Sequence, residues 1–209
     1  MRPRIATIVV LMVLAGAQAV RAQVPEFGAK AGPAFPVLSA DPGSSELYSR
    51  RVAIAGGGYA VLPVSRRVGV QIELLQMPKG TTLETGGSVG TSKLLLDYLD
   101  IPVLARLTAP GSRAFHVFAG PYVGFRLRAK LESKFETTGT SVNVGTRQDV
   151  RESIKRYEAG IVAGGGLHIG RHGLVDARYS WGLTNVNADP SEDVRIRNRV
   201  FVIMGGVRF

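Results

Sequence analysis

Two histidines and an aspartate are the residues of this 209-residue chain whose types and spacing most invite chemistry. His116 falls near the start of one alternating run, His168 near the end of another, and Asp176 early in a third. If these runs are adjacent strands, all three side chains point inward at one mouth of a sheet structure. Two imidazoles and a carboxylate form the donor set of a zinc site, or of a general base and its orienter. No inward serine is placed beside them, and no second carboxylate has the context that such a site needs. Hydrogen bonding within a packed interior is therefore the expectation for His116, His168 and Asp176. No catalytic residue, metal ligand or cofactor is assigned, and His172 reads as a solvated turn residue.

Two glycine-rich stretches imitate phosphate loops. Gly56, Gly57 and Gly58 are consecutive, but no Gly-Lys-Ser/Thr ending follows and no helix is signalled after them. In GGSVGTSK, residues 86–93, the lysine comes two residues too late. Glycine in a narrow sheet more often marks a sharp bend or room for a bulky neighbour.

The elements that must position these residues alternate with a period of two. In the run Arg113 to Arg128, Phe115, Val117, Ala119, Pro121, Val123, Phe125 and Leu127 share one face. His116, Phe118, Gly120, Tyr122, Gly124, Arg126 and Arg128 share the other. The preceding run Leu94 to Thr108 puts Leu95, Leu99, Ile101, Val103, Ala105 and Leu107 on one face, and Tyr98, Asp100, Pro102, Leu104 and Arg106 on the other. Asp97 is the exception on the apolar face, tolerable only at a membrane rim. A strand with one continuous oily face and one mixed polar face suits a wall between lipid and a polar interior. Pro102 and Pro121 cannot donate to a ladder, so bulges or local breaks in pairing are expected there.

Eight such runs are counted. The others are Glu26 to Pro36, Arg51 to Leu62, one beginning at Val68, Arg156 to Ile169, Leu174 to Thr184, and a last one ending at Phe209. Long connections follow strands one, three, five and seven, among them Val37 to Ser49, Pro78 to Lys93, Ala129 to Lys155 and Asn185 to Arg197. Short turns follow strands two, four and six. That rhythm, with an even strand number, predicts an all-β, eight-stranded antiparallel up-and-down transmembrane barrel with short periplasmic turns. Closure removes sheet edges, whose backbone groups lipid cannot satisfy. A soluble barrel of the lipocalin type would reverse every facing assignment.

Inward parity collects Glu73, Asp100, Arg106, Arg126, Arg128, Glu158, Asp176 and Arg178. Both signs are present, and eight strands enclose a lumen that side chains largely fill. A network of ion pairs plugging the barrel is expected; a narrow pore or small-ligand site is the alternative.

Met1 to Ala22 reads as a signal peptide, with Arg2 and Arg4 before the apolar stretch Ile5 to Ala15 and cleavage after Ala22 or Ala19. The barrel domain is then residues 23–209. The charge of +10 falls to +7 on cleavage, since Arg2, Arg4 and Arg21 leave with no acid. Lys and Arg are dispersed and form no helical stripe, which argues against nucleic acid. Anionic headgroups or surface polysaccharide are the expected contacts. With no cysteine, disulfide and thiol chemistry are excluded.

The segments LDYLDIPVLARL, AGPYVGFRL, ARYSWGLTNV and NRVFVIMGGVRF are similar to strands of the PorT-like outer-membrane β-barrel family. The resemblance implies an eight-stranded barrel in the outer membrane of a Gram-negative bacterium; a monomer surrounded by outer-membrane lipid is expected. It also implies that Phe209 resembles the aromatic end read by the barrel assembly machinery. Some relatives are linked to protein secretion, and the family carries no shared catalytic motif. The expected function is non-enzymatic, either structural or docking a protein partner through the long extracellular loops. A lipid- or peptide-modifying enzyme is the least favoured reading.

Overall fold

The computed structural model describes residues 24–41, 48–49, 52–85, 90–110, 114–135, 144–150, 154–185 and 195–209. The proposed signal peptide lies outside these residues. Ten strands are present among them: β1 (Glu26–Asp41), β2 (Tyr48–Ser49), β3 (Ala53–Pro63), β4 (Val68–Thr85), β5 (Gly90–Thr108), β6 (Phe115–Phe135), β7 (Val144–Asp149), β8 (Tyr157–Ile169), β9 (Gly173–Gly182) and β10 (Arg195–Arg208). Eight of them pair antiparallel in the ring β1-β3-β4-β5-β6-β8-β9-β10, and β10 returns to β1 to close it. The two short strands lie outside the ring, β2 on β4 and β7 on β6.

Alternation places the side chains as the sequence pattern predicts. Leu74, Val103, Leu107, Val123, Leu127, Ile161, Leu167, Ile203 and Val207 are exposed, whereas Lys30, Glu73, Asp100, Glu158, Asp176 and Arg178 are buried. Apolar outside and charged inside inverts a water-soluble barrel, and lipid is the solvent that makes it stable. The band ends in aromatic residues. Phe125 meets Tyr157 edge-on at 5.5 Å and Tyr179 lies 4.5 Å from Trp181 toward one rim. Phe27, Phe115 and Phe209 are exposed toward the other. Amphipathic or flat rings favour these headgroup levels.

Pairing lapses beside the prolines without loss of register. Between β5 and β6 the ladder runs to Pro102↔Tyr122 and resumes at Ala105↔Ala119; between β1 and β10 it skips from Ala31↔Gly205 to Ala34↔Val202, around Pro33. A missing N–H removes bonds locally while the neighbouring pairs hold the strands in place. The true bulge is elsewhere. Asp97 pairs with Arg128 but Tyr98 pairs with Arg126, so Leu127 is the extra residue and parity flips beyond it.

Three expected connections are shorter than the sequence pattern indicates. β4 continues through Pro78 to Thr85 and β5 begins at Gly90; β6 runs on to Phe135, where β7 adds to it; and β1 continues past Pro36 to Asp41. Beyond the level of Asp97, where lipid contact ends, β5 extends seven more residues. At roughly 3.3 Å per residue this sheet projects about 20 Å along the strands past the lipid band. The outer face of these extensions no longer meets lipid, so their Gly- and Thr-rich sequence has no apolar alternation to reveal them.

Candidate functional site

The barrel interior is the candidate site, and it is layered. The lower ionic layer is built by β1, β4 and β9. Lys30 Nζ lies 2.7 Å from Glu73 Oε1 and 2.8 Å from Asp176 Oδ2. Arg178 bridges the same two acids, donating Nη1 to Glu73 Oε2 and Nη2 to Asp176 Oδ2 at 3.1 Å. Gln71 Nε2 donates to Glu73 Oε1 at 2.5 Å. Two cations face two carboxylates, so the layer is neutral, and the Arg178 guanidinium also covers the Phe118 ring at 4.8 Å.

The upper ionic layer is built by β4, β5, β6, β8 and β10. Lys79 Nζ donates to Asp100 at 2.9 Å and lies 3.3 Å from Glu158 Oε1. Glu158 accepts from the Tyr122 hydroxyl and from Asn198 Nδ2, both at 2.6 Å. The ammonium sits between the rings of Tyr98 and Tyr122, at 4.6 and 4.7 Å. Every one of these charged groups is buried, and each is held by opposite charge and by hydrogen bonds, which is the condition for leaving ions out of water.

Apolar layers separate and cap the ionic ones. Ala34, Ala55, Leu75, Met77, Val200, Val202 and Met204 pack together, as do Leu104, Phe118, Tyr122 and Val162. Above them Leu96, Tyr98 and Ala129 are joined by Leu94, Val150 and Ile154. Space for the inward rings comes from the facing strand. Tyr59, His116, Phe118 and Tyr122 pair directly with Gly28, Gly166, Gly164 and Gly160. A Cβ on Gly164 would lie 2.8 Å from the Phe118 ring, and one on Gly166 2.7 Å from His116 Nε2.

Of the eight charges assigned to the interior by parity, the structure divides five between two clusters: Glu73, Asp176 and Arg178 in one, Asp100 and Glu158 in the other. Arg106 is buried lower, near the mouth lined by the short turns. Arg126 is half-buried at the opposite end, where it donates to the Ile154 carbonyl. Arg128 is a correction. Its side chain is 59 % exposed and faces Asp97 at 3.8 Å, because the extra residue Leu127 turns it to the outer face. Asp97, the acid that parity put on the oily side, thereby gains its partner at the rim.

The missing cations of the network are Lys30 and Lys79. Lys30 already shared inward parity with Gly28 and Gly32, and charge balance against the acids would have drawn it in. Lys79 lay in a segment with no readable alternation.

His116 and His168 do come together, with ring centroids 5.2 Å apart. They form no metal site: among the described residues no three His, Cys, Asp or Glu side chains converge for one. Asp176 is engaged by Lys30 and Arg178 instead. Arginine has no acceptor, so the 2.5 Å contact of Arg106 Nη2 with His168 Nε2 makes that nitrogen the acceptor and leaves the proton on Nδ1. His172 is exposed in the turn, with Nδ1 3.2 Å from the Arg208 carbonyl. Phe209 is exposed at the same end and donates its N–H to Phe27 O at 2.9 Å.

A family model for the outer membrane protein β-barrel domain matches residues 17–187. The chain belongs to that family. Its placement in the outer membrane follows, and with it the assignment of the short turns to the periplasm. Among solved structures, Ail, the attachment invasion locus protein of Yersinia pestis, matches at TM-score 0.50 and 13% identity, covering 90% of this chain and all (100%) of that one. Ail in complex with the heparin analogue sucrose octasulfate matches at TM-score 0.51 and 11% identity, with the same 90% and 100% coverage. OprG of Pseudomonas aeruginosa matches at TM-score 0.45 and 13% identity, covering 90% of this chain and 97% of that one. At such identities the likeness is one of fold. No curated protein matches the chain.

Proposed function

We propose that this chain is a non-enzymatic outer-membrane barrel that docks a protein partner on its extracellular side. The observation that carries the reading is the contrast between the two parts of the molecule. The lumen is filled by paired ions and apolar side chains, while β4, β5 and β6 carry an ordered sheet well beyond the lipid band. A stable plug needs no such projection, whereas a docking surface does. Exposed Lys93, Gln148, Asp149 and Lys155 stand on or beside that projection. The finer likeness to PorT-like barrels, and the association with protein secretion it would bring, belong to this proposal and rest on the strand segments alone.

Photo-crosslinking residues placed at Lys93 and Gln148 in intact cells test it. A discrete adduct from these positions, absent from a control at lipid-facing Ile203, is the expected result. Equal labelling from all three positions, or none from the projecting sheet, would overturn the docking role.

A further inference from the structure

The periplasmic mouth holds a cavity of about 840 Å³, lined by Glu26 of β1, the turn 63–67, Arg106 and Thr108 of β5, His168 of β8 and Arg208 of β10. Its charge is lopsided. Arg66, Arg67, Arg106 and Arg208 face one carboxylate, Glu26. That carboxylate is divided between Arg106 and Arg208, each at 3.6 Å, longer than a hydrogen bond. It also accepts the Tyr59 hydroxyl at 3.2 Å. Among the described residues no acid lies within ion-pair distance of Arg66 or Arg67. Deeper in the lumen the lower ionic layer is neutral and the upper one sets Lys79 against two acids, so the positive excess is local to the mouth.

The side chains of two of these cations, and the turn that carries the other two, are held in place. Ser65 Oγ accepts the Val68 N–H at 3.1 Å, and the Arg67 carbonyl accepts the Thr108 N–H at 2.8 Å, fixing the turn that carries Arg66 and Arg67 against β5. Arg208 Nε donates to the Arg171 carbonyl at 2.6 Å. Arg106 is almost fully buried and is oriented by Gln71 and His168. The proton left on His168 Nδ1 has no partner. Two anchored guanidiniums, Arg106 and Arg208, and two exposed ones on a fixed turn, Arg66 and Arg67, line a space of small-ligand size; their fork-shaped donors match phosphate oxygens and hold more charge than one carboxylate can offset.

We propose that the periplasmic mouth binds a phosphate-bearing polyanion. The phosphate comes either from a soluble periplasmic compound or from an anionic phospholipid headgroup of the inner leaflet reaching over the Arg66–Arg67 turn. The site is separate from the extracellular docking surface, and only its periplasmic location depends on the orientation of the barrel.

The test is calorimetry with sodium pyrophosphate on the full barrel in phosphatidylcholine nanodiscs at low salt. Saturable binding is expected, weakened at least about ten-fold in Arg66→Glu/Arg67→Glu, whose positions are exposed and outside the core. Arg128→Glu at the far rim should leave it unchanged. Arg106→Gln, read only if the barrel remains folded, should weaken it from the inner end. Adding phosphatidylglycerol to the nanodisc separates the sources: competition with pyrophosphate identifies the headgroup, and undiminished binding identifies a soluble phosphate. Absence of saturable binding, or equal loss in the Arg66/Arg67 and Arg128 variants, would overturn the proposal.

Discussion

Arg178 and Arg128 both lay on inward parity, yet their substitution should have opposite consequences. Arg178 is buried against Glu73 and Asp176. Arg178→Met leaves Lys30 as the one cation for two buried acids, and breaking a buried pair costs about 3–5 kcal/mol. Arg128→Ala removes an exposed rim pair at 3.8 Å, worth under about 1 kcal/mol. Urea unfolding in lipid vesicles, followed through the single tryptophan Trp181, measures both. Equal midpoints for the two variants would show that the lower ionic layer does not stabilise the barrel. The acids of that layer were legible because Glu73 and Asp176 sit in clean alternation. Lys30 was legible only through charge balance, because β1 interleaves Ala, Gly and Pro and its oily face is weak. Arg128 misled because parity counting assumes an unbroken ladder, and one extra residue at Leu127 reverses every face beyond it.

At the scale of elements, the strand β8 works as a row of recesses for β6. Gly160, Gly164 and Gly166 stand opposite Tyr122, Phe118 and His116, so the pattern of small residues on one strand fits the rings on the next. Gly160→Ala places a methyl group against both the Trp181 carbonyl oxygen and the Tyr122 ring and disturbs the hydroxyl that donates to Glu158 at 2.6 Å. Overpacking of this kind costs roughly 1–3 kcal/mol. Gly58→Ala is the control: its added Cβ meets only the Gly28 carbonyl at 3.7 Å, and a change within about 0.5 kcal/mol is expected. Unfolding of the two variants side by side in vesicles decides it, and similar losses would mean that backbone freedom, not ring space, selects glycine at both places. The sequence shows such glycines readily; which ring each receives depends on register, which only the paired strands supply. The sequence pattern predicts loops for the outer parts of β4 and β6 and for residues 90–93 of β5, for a related reason. Alternation reports a contrast between lipid outside and a packed lumen inside; past the lipid band the outer face meets water while Lys79, Thr81, Leu96 and Ala129 stay buried, so the apolar outer stripe that marks a strand is gone.

For the whole molecule, the lipid band and the filled lumen each make a prediction. Ile203 lies on the outer face midway between Val207 and the rim residue Arg199. Ile203→Arg should cost about 2–4 kcal/mol in vesicles, the depth-dependent penalty of a charge near the midplane. A penalty below about 1 kcal/mol would place that face in water. The lumen is closed by volume rather than by charge. Leu75, Met77, Val202 and Met204 pack between the two ionic layers, and Lys79 and Arg178 are clasped by aromatic rings as well as by acids. Neutralising one acid therefore removes an attraction without opening a path. In planar bilayers the protein is expected to show no steady conductance, and Glu158→Gln should be equally silent even though it loosens Lys79. A pore gated by charge would behave differently, giving a basal current that the Glu158 or Arg126 variant changes in size or selectivity. Such a current would mean that the apolar layer parts in the membrane, and the barrel would then be a channel rather than a plugged support for its extracellular sheet.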